Sequence, residues 1–174
     1  IVGGRPKASP VIKLFSFLID KNQINVEIDF DGQRHAVEIP QGVSTEQLPT
    51  LMAGENAVYQ GDEIEVPLIE IAHARSGDKG NHSNIGVIAR KADYLPWIRA
   101  ALTEQTVASY MQHVLDAEKG RVIRYELPGL NALNFMLENA LDGGGVASLR
   151  IDPQGKAFAQ QLLDMPVKVP ANLL

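Results

Sequence analysis

The sequence predicts an α+β sandwich, with helices packed on one face of a sheet. Three observations carry this. Ile24, Val26, Ile28 and Phe30 alternate with Asn25, Glu27 and Asp29, the period of a half-buried strand. Val107, Tyr110, Met111, Val114 and Leu115 fall at the spacing of an amphipathic helix. From residue 66 the runs read β-β-α-α-β-α-β-α, for which split βαβ units are the expected topology. A soft boundary near Gly61-Asp62 separates a β-rich segment, residues 1–65, from a mixed domain, residues 66–174.

The totals exclude several function classes. The chain has 174 residues, 45% hydrophobic and 21% charged, with a net charge of −5. Nucleic-acid and anionic-membrane surfaces need clustered Lys and Arg, which this balance does not offer. With no cysteine, disulfides, thiol nucleophiles and Cys-ligated zinc are out, and a reducing cytosol fits. No apolar run reaches the length of a membrane span. The start at Ile1 points to a processed product or a piece of a longer polypeptide. Ile1-Val2-Gly3-Gly4 also occurs at the new N-terminus of activated trypsin-like proteases. Nothing else of that pattern follows.

In order, Gly3–Pro10 reads as a linker and Val11–Ile19 as a strand. Ile24–Phe30 and Arg34–Ile39 form a hairpin around Asp31-Gly32, because both central residues of such a turn need positive φ. Ser44 or Thr45 caps a short helix limited by Pro49, and residues 53–62 are loop. Strands are predicted at 66–72 and 85–90, on either side of a polar loop. Asp93 is a predicted N-cap with Pro96 in the first turn. Thr103 starts a helix that Gly120 ends. Val122–Leu127 is a strand with Ile123, Tyr125 and Leu127 inward and Arg124 and Glu126 outward. Leu130–Leu141 is predicted as a helix, buried along Leu130, Leu133, Leu137 and Leu141. Val146–Ile151 is a strand. Asp152-Pro153 opens a last helix with Phe158, Leu162 and Met165 inward, and Pro166 and Pro170 end regular structure.

The candidate site is the stretch His73-Ala-Arg-Ser-Gly-Asp-Lys-Gly-Asn-His-Ser-Asn84. Arg75 and Lys79 are cations, and Gly77 and Gly80 let backbone N–H groups converge as an anion nest. Arg75 can grip a carboxylate or phosphate bidentately. Ser76, Asn81 and Asn84 add polar contacts. His73 and Asp78 are the candidates for proton transfer, with His82 as the other imidazole. The competing reading is a polar hairpin loop that satisfies its own backbone. A metal site from His73, His82 and Asp78 lacks a ligand-spacing signature, and no metal is expected. A triad of Ser76, His82 and Asp78 is too local in sequence and lacks a nucleophile elbow. Asn131 and Asn134 align as amides ahead of Gly143-Gly144-Gly145, and those glycines either allow backbone to pass close to the 73–84 stretch or simply end a helix. Asn134 and Arg150 are further candidate ligand contacts. Each also reads as an ordinary surface residue.

His73–Gly80, Asn84–Arg90, Arg124-Tyr-Glu-Leu-Pro128, Asn131 with Leu133-Asn-Phe135, Gly143–Gly145 and Asp152-Pro-Gln-Gly-Lys156 occur together in one order. In these motifs residues 66–166 resemble the C-terminal, ferredoxin-like domain of the acyclic terpene utilisation (AtuA-like) proteins. The resemblance implies a ferredoxin-like α/β sandwich in a cytoplasmic bacterial protein of acyclic-terpenoid catabolism, a route that runs through acyl-CoA esters. It implies acyl-CoA intermediates and a large preceding domain; the residues themselves point to a small anion as partner, no nucleic acid, no membrane, and a homo-oligomer or contact with that preceding domain. It names no cofactor and no established catalytic residue. A non-catalytic accessory or oligomerisation module is the alternative.

Overall fold

The computed structural model describes residues 8, 10, 12–42, 44, 46, 54–57 and 61–174. They fall in two compact units, Phe15–Met52 and Ile1–Leu14 with Ala53–Leu174. In the smaller unit, β1 (Glu27–Phe30) pairs antiparallel with β2 (Gln33–Ala36). Asp31 and Gly32 turn between them at φ 50° and 78°, as the Asp-Gly pair predicts. The alternating face is not covered. Ile24, Val26, Ile28 and Phe30 are all exposed. The strand expected at Val11–Ile19 does not form over 12–19, and Val11 lies outside the described residues. Thr45 and Pro49 also lie outside them, while the Ser44 hydroxyl accepts the Glu46 N–H at 3.3 Å.

The larger unit is a four-stranded antiparallel sheet under three short helices. Its strands are β4 (Ala72–Lys79), β5 (His82–Ala89), β6 (Arg121–Leu127) and β7 (Ala132–Glu138), in the order β4-β5-β7-β6. Between β5 and β6 run α1 (Leu95–Ala101) and α2 (Glu104–Tyr110). Since β7 is antiparallel to both, β5 and β6 are parallel with β7 between them, which is one split βαβ unit. The expected ferredoxin-like α+β sandwich is present. A separate ribbon joins β3 (Glu63–Pro67) to β8 (Pro166–Pro170) after α3 (Phe158–Leu163). Among the described residues no helix is long and apolar enough to cross a membrane.

One face of the sheet is dry. Ile85, Val87, Leu133, Phe135 and Leu137 are essentially buried against Ile98, Val107, Phe158 and Leu162. Thr103 caps α2 by accepting the Thr106 N–H at 3.0 Å, as predicted. Pro96 sits in the first turn of α1, but Asp93 lies inside a preceding 3-10 turn and caps nothing with its side chain. The second helix is shorter than expected. It ends at Tyr110, yet Met111 and Val114 stay buried as the chain continues in turns.

Four expectations are corrected. Leu130–Leu141 is not a helix: residues 132–138 are β7. Leu133 and Leu137, four apart, satisfy helical spacing and strand alternation equally, and buried Phe135 between them belongs only to the strand. In β6 the facing is reversed. Val122, Arg124 and Glu126 look toward the helices, while Tyr125 is 47% exposed. The two charges are held there by a partner remote in sequence. Arg99, 6% exposed, donates through Nε to both Glu126 oxygens at 3.2 and 3.1 Å. Arg124 Nη1 donates to the carbonyls of Arg99 and Leu102 at the end of α1. Val146–Ile151 is not a strand. It curls from Gly144, whose carbonyl accepts the Ala147 and Ser148 N–H groups, and leaves Leu149 and Ile151 exposed. Pro166 and Pro170 bound a strand instead of ending structure. They sit at its two ends, where a missing N–H is tolerated. Asp152 accepts from the N–H groups of Lys156 and Ala157, so it caps the turn ahead of α3.

Three outcomes test this packing. Phe135→Ala should cost about 3–5 kcal/mol and Tyr125→Ala less than about 1 kcal/mol in urea unfolding. Equal losses would mean the sheet faces are assigned the wrong way round. Gly144 has φ 81°, and a Cβ there would lie 2.6 Å from the Gly80 carbonyl oxygen. Gly144→Ala should therefore cost more than the about 1–2 kcal/mol of left-handed backbone alone, and an unchanged urea midpoint would deny the contact. Asp116 is held below the usual carboxylate range by the backbone N–H of Lys119 and then of Glu118. Its folded pKa lies below the unfolded value, so its contribution is present above about pH 4 and fades as pH falls through the folded pKa. Asp116→Asn should flatten the acid limb of stability against pH; an acid limb as steep as the wild type's counts against it.

Candidate functional site

The polar stretch expected as a loop is two paired strands with a two-residue turn. Register runs from Ala72↔Ala89 to Lys79↔His82, leaving only Gly80 and Asn81 to turn. Strand alternation then sorts the candidates onto opposite faces. Ser76 and Asp78 point to the helix side. His73, Arg75, Gly77 and Lys79 point to the other face, beside Asn84 and Gly86 of β5 and Asn134 of β7. Cross-strand neighbours make Arg75, Gly86, Asn134 and Tyr125 one row, and Gly77, Asn84, Met136 and Ile123 the next.

A cavity of about 410 Å³ lies here, with Arg75, Gly77, Asp78, Lys79, Asn84 and Lys156 in its wall. The way Lys156 arrives is instructive. Its carbonyl accepts from the Ser76 hydroxyl at 3.1 Å on the helix side. Its ammonium sits where a Cβ on Gly77 would come within 3.0 Å of Nζ, on the opposite face. The side chain therefore passes around the outer edge of β4, and the bare Gly77 makes room for its charge. Asp78 Oδ1 holds Nζ at 3.5 Å on the way. The two Asp152 bonds to the N–H groups of Lys156 and Ala157 shape the turn that delivers it. Lys156 was not among the sequence candidates. Its signal is the Asp-Pro-Gln-Gly-Lys run, which sequence reading places but cannot aim.

Arg75 is exposed and, among the described residues, has no ion-pair or hydrogen-bond partner. Lys79 Nζ donates to the Asp78 carbonyl. Asn84 Nδ2 donates to Asn134 Oδ1 at 3.0 Å, so the two amides stand together beside Gly86. These groups together form a basic, amide-edged cleft suited to an anion.

Other candidates are committed elsewhere. The Ser76 hydroxyl, besides bonding Lys156, accepts the Ala159 N–H at 2.9 Å. Asn81 ties the turn down: its carbonyl accepts from Ala140 and Leu141, Oδ1 from Gly143, and Nδ2 donates to Asn139. Gly144 packs on the Gly80 carbonyl, the close backbone approach that is one of the two readings of the triple glycine. Arg150 Nη1 donates to the carbonyls of Val114 and Ala140 and does not reach the cleft. His82 Nδ1 accepts the Asn139 N–H at 2.9 Å. His73 and Asp78 do not converge, being on opposite faces and about 16 Å apart along an extended strand. His73 lines a second groove of about 350 Å³ with Ile88, Leu127, Leu130 and Ala132. Among the described residues no cluster of three His, Asp or Glu could hold a metal.

No curated protein and no solved structure matches the chain. A sequence model described as the AtuA ferredoxin-like domain matches residues 66–168, the span that carries the sheet, the helices and the basic cleft. The chain belongs to the AtuA ferredoxin-like domain family.

Proposed function

We propose that the chain binds a small anion, a carboxylate or a phosphate, in the cleft on the uncovered face of the sheet. The observation that carries this is the unpaired Arg75, facing the same cavity as Lys156 and Asn84. An exposed guanidinium with no carboxylate of its own is free to take a ligand's oxygens two at a time. The family resemblance supplies the setting: cytoplasmic catabolism of acyclic terpenoids through acyl-CoA or carboxylate intermediates. In this reading the 73–84 hairpin supplies binding, and the separation of His73 from Asp78 leaves no acid-base pair inside the cleft. A second reading, an accessory or oligomerisation module, is favoured by one observation. Ile88, Tyr125 and Leu130 are exposed at 44%, 47% and 60%, and Ile88 and Tyr125 share the cleft's sheet face with Leu130 at its rim.

A thermal-shift series with coenzyme A, acyl-CoA esters and terpenoid acids tests the first reading. Bound ligand should raise Tm, and Arg75→Ala should weaken affinity by about 10–100-fold, the worth of a charge-assisted contact of about 1.5–3 kcal/mol. A shift that survives Arg75→Ala together with Lys79→Ala would remove the cleft as the binding site. Sedimentation of Tyr125→Lys against the wild type tests the second reading. A change in assembly state supports it, and identical behaviour counts against it.

A further inference from the structure

The anion reading leaves open which anion the cleft prefers, and the charge around it separates the two chemistries. We infer that the cleft selects a doubly charged phosphate group, a phosphate monoester or a terminal phosphate, over a carboxylate. The inference rests on the anion-binding reading above and narrows it.

Three cations, Arg75, Lys79 and Lys156, meet one carboxylate, Asp78, in the cavity wall, for a local charge of +2 in a chain whose net charge is −5. A carboxylate ligand neutralises half of that excess. A phosphate dianion neutralises all of it and presents three acceptor oxygens. The donors are arranged for several oxygens at once. Arg75 offers a planar fork, Lys156 Nζ stands over Gly77, and the Asn84–Asn134 amide pair borders the next row of the same face. A carboxylate meets these donors with two oxygens in one plane, against the three oxygens, spread out of one plane, of a phosphate. The cavity, about 410 Å³, also holds more than a carboxylate group.

Asp78 takes a defined part in this. Its Oδ1 is 3.5 Å from Lys156 Nζ, so it holds the ammonium at the edge of β4 and offsets part of its charge. Lys156 is thus a specificity-determining residue and Asp78 the positioning residue that tempers it. Removing the Asp78 charge should strengthen anion binding, the opposite of what a proton-transferring carboxylate would show.

The test is calorimetric titration of the protein at low salt with methyl phosphate, dimethyl phosphate and acetate. These are a phosphate dianion, a phosphate monoanion and a carboxylate. Methyl phosphate should bind about tenfold more tightly than either monoanion, the effect of one further charge about 5 Å from a cation in a partly exposed site. Lys156→Met should level methyl and dimethyl phosphate, a change that loss of local structure alone would not produce. Asp78→Asn should tighten methyl phosphate. Both side chains are partly exposed, and an unchanged urea midpoint will show that each variant is folded. Coenzyme A and its dephosphorylated form, which lacks the ribose monoester, distinguish a phosphate carried on a cofactor from one on a small substrate. Binding of acetate as tight as that of methyl phosphate would overturn this inference and leave the anion reading standing. Binding of none of the ligands would overturn both.

Discussion

Asn81 holds the β4–β5 hairpin in register. Its carbonyl receives the N–H groups of Ala140 and Leu141 and its side chain is bonded to Gly143 and Asn139, so one residue pins the β4–β5 turn to the chain leaving β7. Buried or half-buried polar groups must be paired, and a turn satisfied by a remote segment cannot slide. A one-residue slip of β5 against β7 would send Ile85 and Val87 to solvent and Asn84 into the core. The pairing of Asn84 with Asn134, the room over Gly77 that the Lys156 ammonium occupies, and the position of Arg75 all depend on that register.

The sequence declares some of this and hides the rest, for identifiable reasons. Asp31-Gly32 demands positive φ whatever surrounds it, so the β1–β2 hairpin is readable locally. Thr103 and Pro96 are equally local signals, one a cap and one a first-turn residue. The β7 strand is not readable in this way, because Leu133 and Leu137 fit two periods and only tertiary pairing chooses between them. Arg124 and Glu126 look like solvent-facing charges until Arg99 arrives from α1 to pair with Glu126. Their burial depends on a contact more than twenty residues away in sequence.

The same distinction runs through the site. The density of polar groups and the family motifs of the 73–84 stretch are legible in the sequence. Which of its residues are free is not. Alternation along β4 and β5 divides them between two faces, and long-range bonds then claim Ser76, Asn81 and His82 for the scaffold. Arg150 is claimed in the same way, by two backbone carbonyls. On the uncovered face Arg75 has no partner among the described residues; beside it stand Lys79 and Asn84, which bond only to neighbours on the sheet, and a lysine that sequence order places more than seventy residues downstream.

The course of Lys156 around β4 also bears on how copies of this domain can meet. An antiparallel sheet exposes ladder groups at its two margins, and such margins invite strands from other chains. At the β6 margin the Glu104 carboxylate accepts the Arg124 N–H at 2.8 Å. At the β4 margin the Lys156 side chain lies across Ser76 to Asp78. Each border of the sheet is thus occupied by a charged side chain from its own fold. Addition of a further strand to this sheet is hindered at both margins.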